Sequence, residues 1–325
     1  MILKKEEATS TICLKKKTMN SVNKNNYLII FPFIFLVLLG LVMISSASIF
    51  QEQSQTLDPF YYISRQLLFV SVGLVSMSIF LIIPSSFLLK TDWLLVLISI
   101  LLLIALFVPN VGSSVNGSIR WIRLGSIGIQ PSEICKFSLI IYISGYCFRR
   151  ASELYSFRNF LKPLTLLSII SLLIMSQPDL GSTAIICLVV VAILFYAGIS
   201  FFQFSVLSLL ILLLGVAAIS TSPMRIARVM AFRDPFDSEI VFGSGYQLAN
   251  SLISIGQGGW TGLGLGNSFQ KNFFLPEAHT DFIFAILVEE LGVIGGIILI
   301  TAYMILFFGI LKVAVDCLNF GRVFQ

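Results

Sequence analysis

The chain has 325 residues, of which 57% are hydrophobic and only 11% are charged, and its mean hydropathy is +0.96. A soluble domain carries about a quarter charged residues, and a membrane β-barrel shows short alternating segments rather than long apolar runs. Both classes are therefore excluded, and we predict an all-α fold, a polytopic bundle of membrane helices. The net charge of +5 fits a positive-inside topology and an anionic ligand better than nucleic acid.

Residues 1–26 form a polar, lysine-rich segment, and residues 27–325 form the predicted transmembrane domain. No short apolar segment with a small-residue cleavage site follows the first segment, so we expect a cytoplasmic tail before a retained helix. Runs of about 20 apolar residues can span a bilayer, and about eight spans are predicted: Tyr27–Ile49, Leu67–Leu89, Trp93–Val108, Ile134–Phe148, Phe160–Met175, Gly181–Gly198, Phe201–Ser220 and Phe282–Leu311. The last is expected to comprise a half-helix, Phe282–Glu290, and a true span after Gly292.

Two of the loops that are expected on the outer face, when the spans are counted from a cytoplasmic N-terminus, bear on ligand binding. The first, 109–132, carries Arg120 and Arg123 against the positive-inside bias, and an anionic ligand outside would explain them. The second, 222–281, is rich in aromatic residues and glycine, which favours short interfacial helices and tight turns. Its glycine-rich run 256–266 lacks the strand and the Gly-Lys-Ser/Thr of a nucleotide loop, so we expect it to give backbone flexibility near an interfacial ligand.

The second loop ends with an octapeptide, Leu-Pro-Glu-Ala-His-Thr-Asp-Phe, at residues 275–282. It holds the only histidine, His279, and two carboxylates, Glu277 and Asp281. A carboxylate at the edge of a membrane can act as a general base. Alternatively, Thr280 or Asp281 caps the helix that follows. The residues alone leave both interpretations open.

Two further groups of charges are candidate sites. Arg225 and Arg228 are three residues apart, so on a helix they share one face. Two guanidinium groups suit a phosphate or a diphosphate, although pairing with lipid headgroups or with nearby aspartates would also explain them. The other group lies within or beside the apolar runs, where charges need partners; it consists of Glu133, Lys136, Asp179, Glu289 and Glu290. These residues either take part in catalysis or form ion pairs that fix the packing of the helices. Glu133 and Lys136 are spaced to pair with each other.

Several strings occur here in the order in which they occur in a known family. They are Arg120-Trp121-Ile122, Gln130–Glu133 with Lys136, Gln177–Gly181, Arg225 with Arg228, Asp234-Pro235, Gly245-Tyr246-Gln247, Gly262–Gly266, Gln270-Lys271, Leu275–Phe282 and Glu289–Gly292. On these strings the chain resembles the SEDS family of FtsW, RodA and their sporulation relatives, from about Tyr27 to the C-terminus. The string Gly-Leu-Gly-Asn-Ser-Phe-Gln-Lys is more similar to the division (FtsW) branch than to the elongation (RodA) branch.

The resemblance implies a peptidoglycan glycosyltransferase of the bacterial inner membrane, with a cytoplasmic N-terminus and a place at the division septum. Such proteins polymerise lipid II and release undecaprenyl diphosphate, together with a class B penicillin-binding protein and other divisome membrane proteins. The family's catalytic position falls on Asp281, and the positions expected to bind the diphosphate or lipid II are Arg120, Arg225, Arg228, Gln247, Lys271, Glu277 and His279. Its Lys–Asp ion pair falls on Lys136 and Asp179, with Glu133 beside it. The one cofactor considered is a divalent cation, Mg²⁺ or Mn²⁺, and the sequence identifies no ligands for it.

Two other functions stay open at this point. The charges inside the membrane would also suit a transporter that flips lipid II, and a shortened chain would suit a non-catalytic component of the divisome. Members of the family usually carry about ten spans, of which the last two hold a Leu-Pro-x-Thr-Gly and a Pro-Phe-x-Ser-Tyr-Gly-Gly stretch. Neither stretch is present before Gln325. We therefore expect a shortened chain that lacks part of the substrate groove.

Overall fold

The computed structural model describes residues 26–55, 61–109, 111–115, 118–124, 127–238, 240–272 and 274–319. The predicted tail lies outside these ranges, apart from its last residue. The chain forms two compact units. One unit is Phe80–Pro223, and the other combines the residues up to Ile79 with those from Met224 to Val323.

Ten α-helices, one short 3₁₀-helix (Ala151–Glu153) and three short strands make up the regular structure of the described residues. The helices are α1 (Tyr27–Gln55), α2 (Tyr61–Ile82), α3 (Ser85–Ala105), α4 (Pro131–Arg149), α5 (Phe157–Met175), α6 (Leu180–Tyr196), α7 (Phe201–Ser220), α8 (Pro223–Arg233), α9 (Tyr246–Gly258) and α10 (Ile283–Asn319). The strands are β1 (Gly112–Val115), β2 (Ser118–Leu124) and β3 (Ile127–Ile129). Six of the helices are long and apolar enough to cross a membrane, namely α1, α2, α3, α5, α7 and α10. The predicted bundle of membrane helices is confirmed.

All eight predicted spans fall on helices, but the second and third differ most from their predicted bounds. The second runs from Tyr61 to Ile82 rather than from Leu67 to Leu89, and the third begins at Ser85 rather than at Trp93. Pro84 is the reason, because a proline disfavours helical geometry in the residue before it. Pro84 itself is extended, with ψ 140°, and α3 begins directly after it. The apolar run therefore continues across a boundary that divides two helices.

The unit Phe80–Pro223 is built from α3 to α7 and the strands. Helix α4 packs against α3 and α6, and α6 packs in turn against α5 and α7. The most deeply buried side chains of its core are Leu103, Cys135, Ile143, Leu154, Ile170, Ile174 and Leu194. The three strands form an antiparallel sheet in the order β1-β2-β3, in which Ile122 faces both Gly112 and Ile129.

The small sheet is an addition to the predicted all-helical fold. Its signal in the sequence is the Asn116-Gly117 pair between two short runs, since Asn-Gly is the strongest local indication of a hairpin. The run Ser118–Leu124 also contains the isoleucine and tryptophan residues that favour strands. The sheet lies in the loop 109–132, which was expected on the outer face.

In the other unit, α10 packs against α1 and α9. The core of this unit joins α1 to the octapeptide and to the first turns of α10, and its buried residues are Met43, Ala47, Leu275, Ala278, Ala285, Ile286, Leu287 and Val288. The octapeptide is therefore part of a packed core and not a loose surface loop.

Helix α10 is interrupted at Gly292, where φ is +73° and ψ is −179°. This confirms the predicted division into a half-helix, here defined as residues 283–291, and a longer second part. A break of this kind leaves backbone groups without their helical partners. The glycine-rich run supplies new ones, because the Leu263 and Gly264 N–H groups donate to the Glu289 and Glu290 carbonyls, at 2.9 and 3.0 Å.

Contacts in the opposite direction complete this junction. The Val293 N–H donates to the Gly259 carbonyl at 2.9 Å, and the Ile294 N–H donates to the Trp260 carbonyl at 3.3 Å. The approach is so close that a Cβ atom at Gly292 would collide with the Trp260 carbonyl. The glycines of this run therefore allow tight packing on the broken helix, whereas the sequence had suggested flexibility around a ligand.

Candidate functional site

The octapeptide forms an ordered turn ahead of the half-helix. Leu275 is 1% exposed and Ala278 is fully buried, so these two residues attach the turn to the core. Between them, Glu277 adopts a left-handed backbone conformation with φ +55°, which is unusual for a residue with a side chain. The Glu277 carboxylate accepts a hydrogen bond of 2.9 Å from the Thr280 hydroxyl. Two of the polar groups of the octapeptide thus bind each other.

Asp281 comes directly before the half-helix, and its side chain is exposed. Within the described residues, no donor reaches its carboxylate at hydrogen-bonding distance, and no lysine or arginine nitrogen lies within 4 Å. No backbone N–H of the described chain donates to Thr280 or Asp281 either, so the helix-capping interpretation receives no support. The Asp281 carboxylate is accessible to a substrate.

The ring of His279 packs against Tyr62 of α2, with ring centroids 4.8 Å apart and an angle of 53° between the ring planes. Its Nδ1 atom is buried and has no hydrogen-bond partner in the described part of the chain. Of the three ionisable groups in the octapeptide, His279 is therefore held by an aromatic contact and Glu277 by a hydroxyl. Only the Asp281 carboxylate is exposed and has no hydrogen-bond or ion-pair partner among the described residues.

Three further candidates of this unit lie on α8 and α9. Arg225 and Arg228 are one turn apart on α8, where Arg228 is exposed and Arg225 is half-buried. Neither guanidinium lies within 4 Å of Asp281, so any cooperation between these groups would act through a bound substrate. Gln247 is exposed in the first turn of α9.

Lys271 is not placed as the resemblance implied. Only 1% of this residue is exposed, and its ammonium group donates to Glu290 at 2.8 Å and to the Ser46 hydroxyl at 3.2 Å. An ammonium group in an apolar core must have such partners, because burying an unpaired charge is costly. The structure therefore places this side chain in the interior, so the geometry gives no support to the expectation that Lys271 contacts lipid II.

Glu289 is also fully buried, and four groups donate to its carboxylate. The Ser254 and Ser268 hydroxyls donate to Oε2 at 2.6 and 2.7 Å, and the backbone N–H groups of Phe269 and Gln270 donate to Oε1 at 2.7 and 3.3 Å. Both oxygens of this buried carboxylate therefore have hydrogen-bond partners, as buried polar groups require.

The sequence analysis missed the serines in these contacts. Ser46, Ser254 and Ser268 provide the hydroxyl groups for Glu290 and Glu289. Their signal is weak, because small polar residues are frequent at helix contacts in membrane proteins. Only the paired carboxylates at the end of the half-helix could have indicated that donors were needed nearby.

In the unit Phe80–Pro223, Asp179 and Arg120 meet at the start of α6. The Asp179 carboxylate accepts from the Ser182 N–H at 3.0 Å and from the Ser182 hydroxyl at 2.8 Å, so it caps the helix. Arg120 donates to the Pro178 carbonyl at 2.6 Å and lies 3.9 Å from Asp179. Arg120 thus already binds part of its own unit, and its expected role toward a diphosphate stays a prediction.

The ion pair that the resemblance placed on Lys136 and Asp179 is not formed. Lys136 pairs instead with Glu133, at 2.7 Å, as the spacing of three residues on α4 allows. The pair lies beside a cavity of about 230 Å³ between α4 and α6, whose other lining is apolar and includes Phe137 and Val190. Local helix geometry therefore determines the partner of Lys136.

The divalent cation expected from the resemblance has no multidentate protein site in the described ranges, where no group of three or more His, Cys, Asp or Glu residues could hold a metal. Mg²⁺ commonly binds one or two carboxylates together with the phosphates of a substrate. Asp281 could supply one such carboxylate, and the cation stays a prediction.

The geometry can be compared with known proteins. The FtsW/RodA/SpoVE family model, described as cell cycle protein, matches residues 26–324. The FtsW of Alcanivorax borkumensis, named a probable peptidoglycan glycosyltransferase, is 40% identical over 275 residues, which cover 84% of this chain and 71% of the relative. The protein of the same name from Legionella pneumophila is 41% identical, over 83% of this chain and 68% of its own length. The one from Aliivibrio salmonicida is 43% identical, over 89% of this chain and 72% of its own length.

Solved structures show the same fold. A chain from a peptidoglycan synthase complex superposes with a TM-score of 0.71 at 24% identity, over 91% of this chain and 80% of that chain. The rod shape determining protein RodA of Thermus thermophilus superposes with a TM-score of 0.61 at 22% identity, over 91% of this chain and 77% of its own. From the family model and the identity to the FtsW relatives, the chain belongs to the FtsW/RodA/SpoVE family of cell cycle proteins.

Proposed function

We propose that this protein is a peptidoglycan glycosyltransferase that polymerises lipid II during septal wall synthesis. The family membership and the names of its relatives support the reaction class. One observation supports Asp281 as the catalytic residue. Its carboxylate is exposed and has no hydrogen-bond or ion-pair partner among the described residues. At the end of a packed turn, a free carboxylate offers the geometry of a general base.

The reaction needs a single inverting displacement. The 4-hydroxyl oxygen of the acceptor sugar attacks the anomeric carbon of the donor, the bond from this carbon to the diphosphate oxygen breaks, and the hydroxyl proton passes to Asp281. An α-linked donor thereby becomes a β-1,4-linked product. Undecaprenyl diphosphate leaves without a proton, so the second carboxylic acid of a glycoside hydrolase is not needed.

The departing diphosphate develops negative charge, which cations can stabilise. Arg225 and Arg228 on α8 are the candidates in the unit of Asp281, and the resemblance assigns the same role to Arg120. A divalent cation, Mg²⁺ or Mn²⁺, would supply further charge stabilisation when it is bound to the diphosphate.

The proposed location is the bacterial inner membrane at the division septum, with the N-terminus in the cytoplasm and Asp281 at the outer face. The proposed partners are a class B penicillin-binding protein, which would cross-link the strands, and other membrane proteins of the divisome. A solved relative with the same fold comes from a peptidoglycan synthase complex, which supports a partner of this kind.

The test is polymerisation of labelled lipid II by the purified protein, alone and with its penicillin-binding partner. We expect Asp281→Asn to lower the rate by roughly 10²- to 10⁴-fold, the usual effect of losing a general base. The matched control is Asp316→Asn, which removes a carboxylate from the second part of α10. Equal rates for Asp281→Asn and the control would refute the assignment of the base.

A lipid II flippase is the second candidate, and the Glu133–Lys136 pair beside an apolar cavity favours it. Movement of dye-labelled lipid II across liposomes that contain the protein would reveal this activity. Flipping that persists in Asp281→Asn, without any polymer from the parent protein, would favour the flippase. Neither activity in the presence of the partner would favour a non-catalytic divisome component.

A further inference from the structure

The interior of the unit that contains Asp281 holds a group of charges with no contact to solvent. This buried charge cluster consists of Ser46, Lys271, Glu289 and Glu290, and its three ionisable residues are at most 1% exposed. The Ser46 hydroxyl donates to both oxygens of Glu290, at 2.7 and 2.8 Å, and accepts a hydrogen bond from the Lys271 ammonium group. The cluster thereby joins α1, the segment before the octapeptide, and the end of the half-helix.

The cluster has a structural cost that hydrophobic packing would avoid. Buried ion pairs are often no more stabilising than apolar residues of the same volume. They do, however, permit few alternative arrangements, because each charge must keep its partners. An arrangement of this kind is well suited to hold a nearby segment in one position.

The position of the cluster connects it to Asp281 from two directions. Along α10, Glu290 lies about two helical turns after Ile283, at the opposite end of the half-helix from Asp281. Along the loop, Lys271 precedes Leu275 and Ala278, which anchor the octapeptide in the core. A hydrogen bond of 2.9 Å from the Leu275 N–H to the Gln270 carbonyl tightens this segment.

Because of the break at Gly292, the half-helix depends on the cluster to hold its end in place. The half-helix cannot rely on the continuous hydrogen-bond ladder of a long span, because the ladder is interrupted directly after Leu291. Its end is held instead by the contacts to the glycine-rich run and by the side chains of Glu289 and Glu290. The half-helix is therefore a separate short rod whose orientation depends on these contacts.

We propose that Lys271, Glu290 and Ser46 are positioning residues for Asp281. Their buried ion pair holds the half-helix and the octapeptide together, and so keeps the Asp281 carboxylate where it can take the proton of the acceptor hydroxyl. This inference rests on the proposed function for the role of Asp281, but the holding of the octapeptide can be measured without any activity.

The test removes both charges of the ion pair at once, in Lys271→Met combined with Glu290→Gln. The double change leaves no unpaired buried charge, so the protein can still fold. The matched control is Arg150→Gln combined with Glu153→Gln, which removes an exposed ion pair of 2.7 Å, close to the 2.8 Å of the buried pair, from the other unit. Ser46→Ala is a milder second variant, since it deletes only the shared hydroxyl.

The first measurement is the rate at which an impermeant maleimide labels Ala278→Cys, in a background whose five native cysteines are alanine. Ala278 is fully buried, so labelling of the parent should be slow. We expect labelling to be about tenfold faster in the double variant, because the octapeptide opens more often. Ser46→Ala should show a smaller increase, and the control should show none. An unchanged labelling rate in both variants would overturn the inference.

The second measurement separates positioning from simple stability. We expect kcat per folded molecule to fall by about 10²-fold in the double variant, as a displacement of about 1 Å can cause. The KM for lipid II should change less than about twofold, since Lys271 does not touch the substrate. Faster labelling with an unchanged kcat would overturn the positioning role. If Asp281→Asn keeps full activity, the proposed function fails, whereas the labelling result still decides whether the cluster holds the octapeptide.

Discussion

The two ends of the half-helix carry carboxylates in opposite environments. At the buried end, every carboxylate oxygen of Glu289 and Glu290 accepts at least one hydrogen bond. At the exposed end, the Asp281 carboxylate accepts none from the described residues. A buried charge needs protein partners because no water can reach it, whereas an exposed charge is stabilised by solvent. The donors of this unit therefore serve the fold at one end and leave the other end open to a substrate.

The comparison also separates two kinds of evidence for function. Burial and complete hydrogen bonding explain Glu289 and Glu290 as parts of the folded structure. No contact within the described chain explains Asp281, so the fold does not require its charge.

The largest loss of stability is expected for Lys271→Met alone. The substitution leaves the buried Glu290 carboxylate without its cation, and breaking a buried pair in this way typically costs about 3–5 kcal/mol. Thermal unfolding in detergent would measure the loss. Arg150→Gln, which breaks an exposed pair, should cost less than about 1 kcal/mol. Equal effects of the two substitutions would show that burial does not distinguish them.

Gly292→Ala should have the next largest effect. The backbone at this position, with φ +73° and ψ −179°, costs a residue with a side chain about 1–3 kcal/mol, and the collision with the Trp260 carbonyl adds to this. We expect a loss of about 2 kcal/mol or more in the same unfolding measurement. Gly256→Ala is the matched control, since no atom lies within 4 Å of its added Cβ. Alanine should stabilise that helix position by roughly 0.5–1 kcal/mol.

Asp179→Ala is expected to have an intermediate effect. This carboxylate in the other unit caps α6 and also lies 3.9 Å from Arg120. Loss of an N-cap costs about 0.5–2 kcal/mol, so the free energy of unfolding should fall by about that amount. Asp179→Asn keeps a capping oxygen and should recover most of the stability. No difference between these two substitutions would contradict the capping role.

The smallest change in stability is expected for Asp281→Asn. An exposed side chain without partners contributes within about 0.5 kcal/mol, so thermal unfolding should match that of the parent. Activity of the same sample should nevertheless be lost, as proposed above. A clear destabilisation would show that Asp281 has a structural role and would remove the contrast between the two ends of the half-helix.

Much of the helical framework could be predicted because apolar length is a local property. The span Phe201–Ser220 has the predicted bounds, and the break in the last span falls at the predicted glycine. The second span was displaced because apolar content continues across Pro84, where backbone geometry divides the run. The sheet was missed because its short strands have little periodic signal beside the long apolar runs.

The sequence predicted which residues belong to the site better than it predicted whether each of them is buried or exposed. Asp281 was singled out by resemblance, and its exposure agrees with that choice. Lys271 was assigned to the substrate by the same resemblance, which says nothing about burial. Its partners Ser46 and Glu290 come from segments far apart in sequence, so its burial could not be read from local spacing.

The sequence by itself determined the membrane class, most of the helix positions, the half-helix and the local Glu133–Lys136 pair. Each of these depends on residues that are close together along the chain. Only the tertiary structure decided which charges are buried, which oxygens the serines satisfy, and which carboxylate of the octapeptide stays free. These outcomes depend on contacts between α1, α9, the octapeptide and α10, and burial by distant segments leaves no periodic trace in a single sequence.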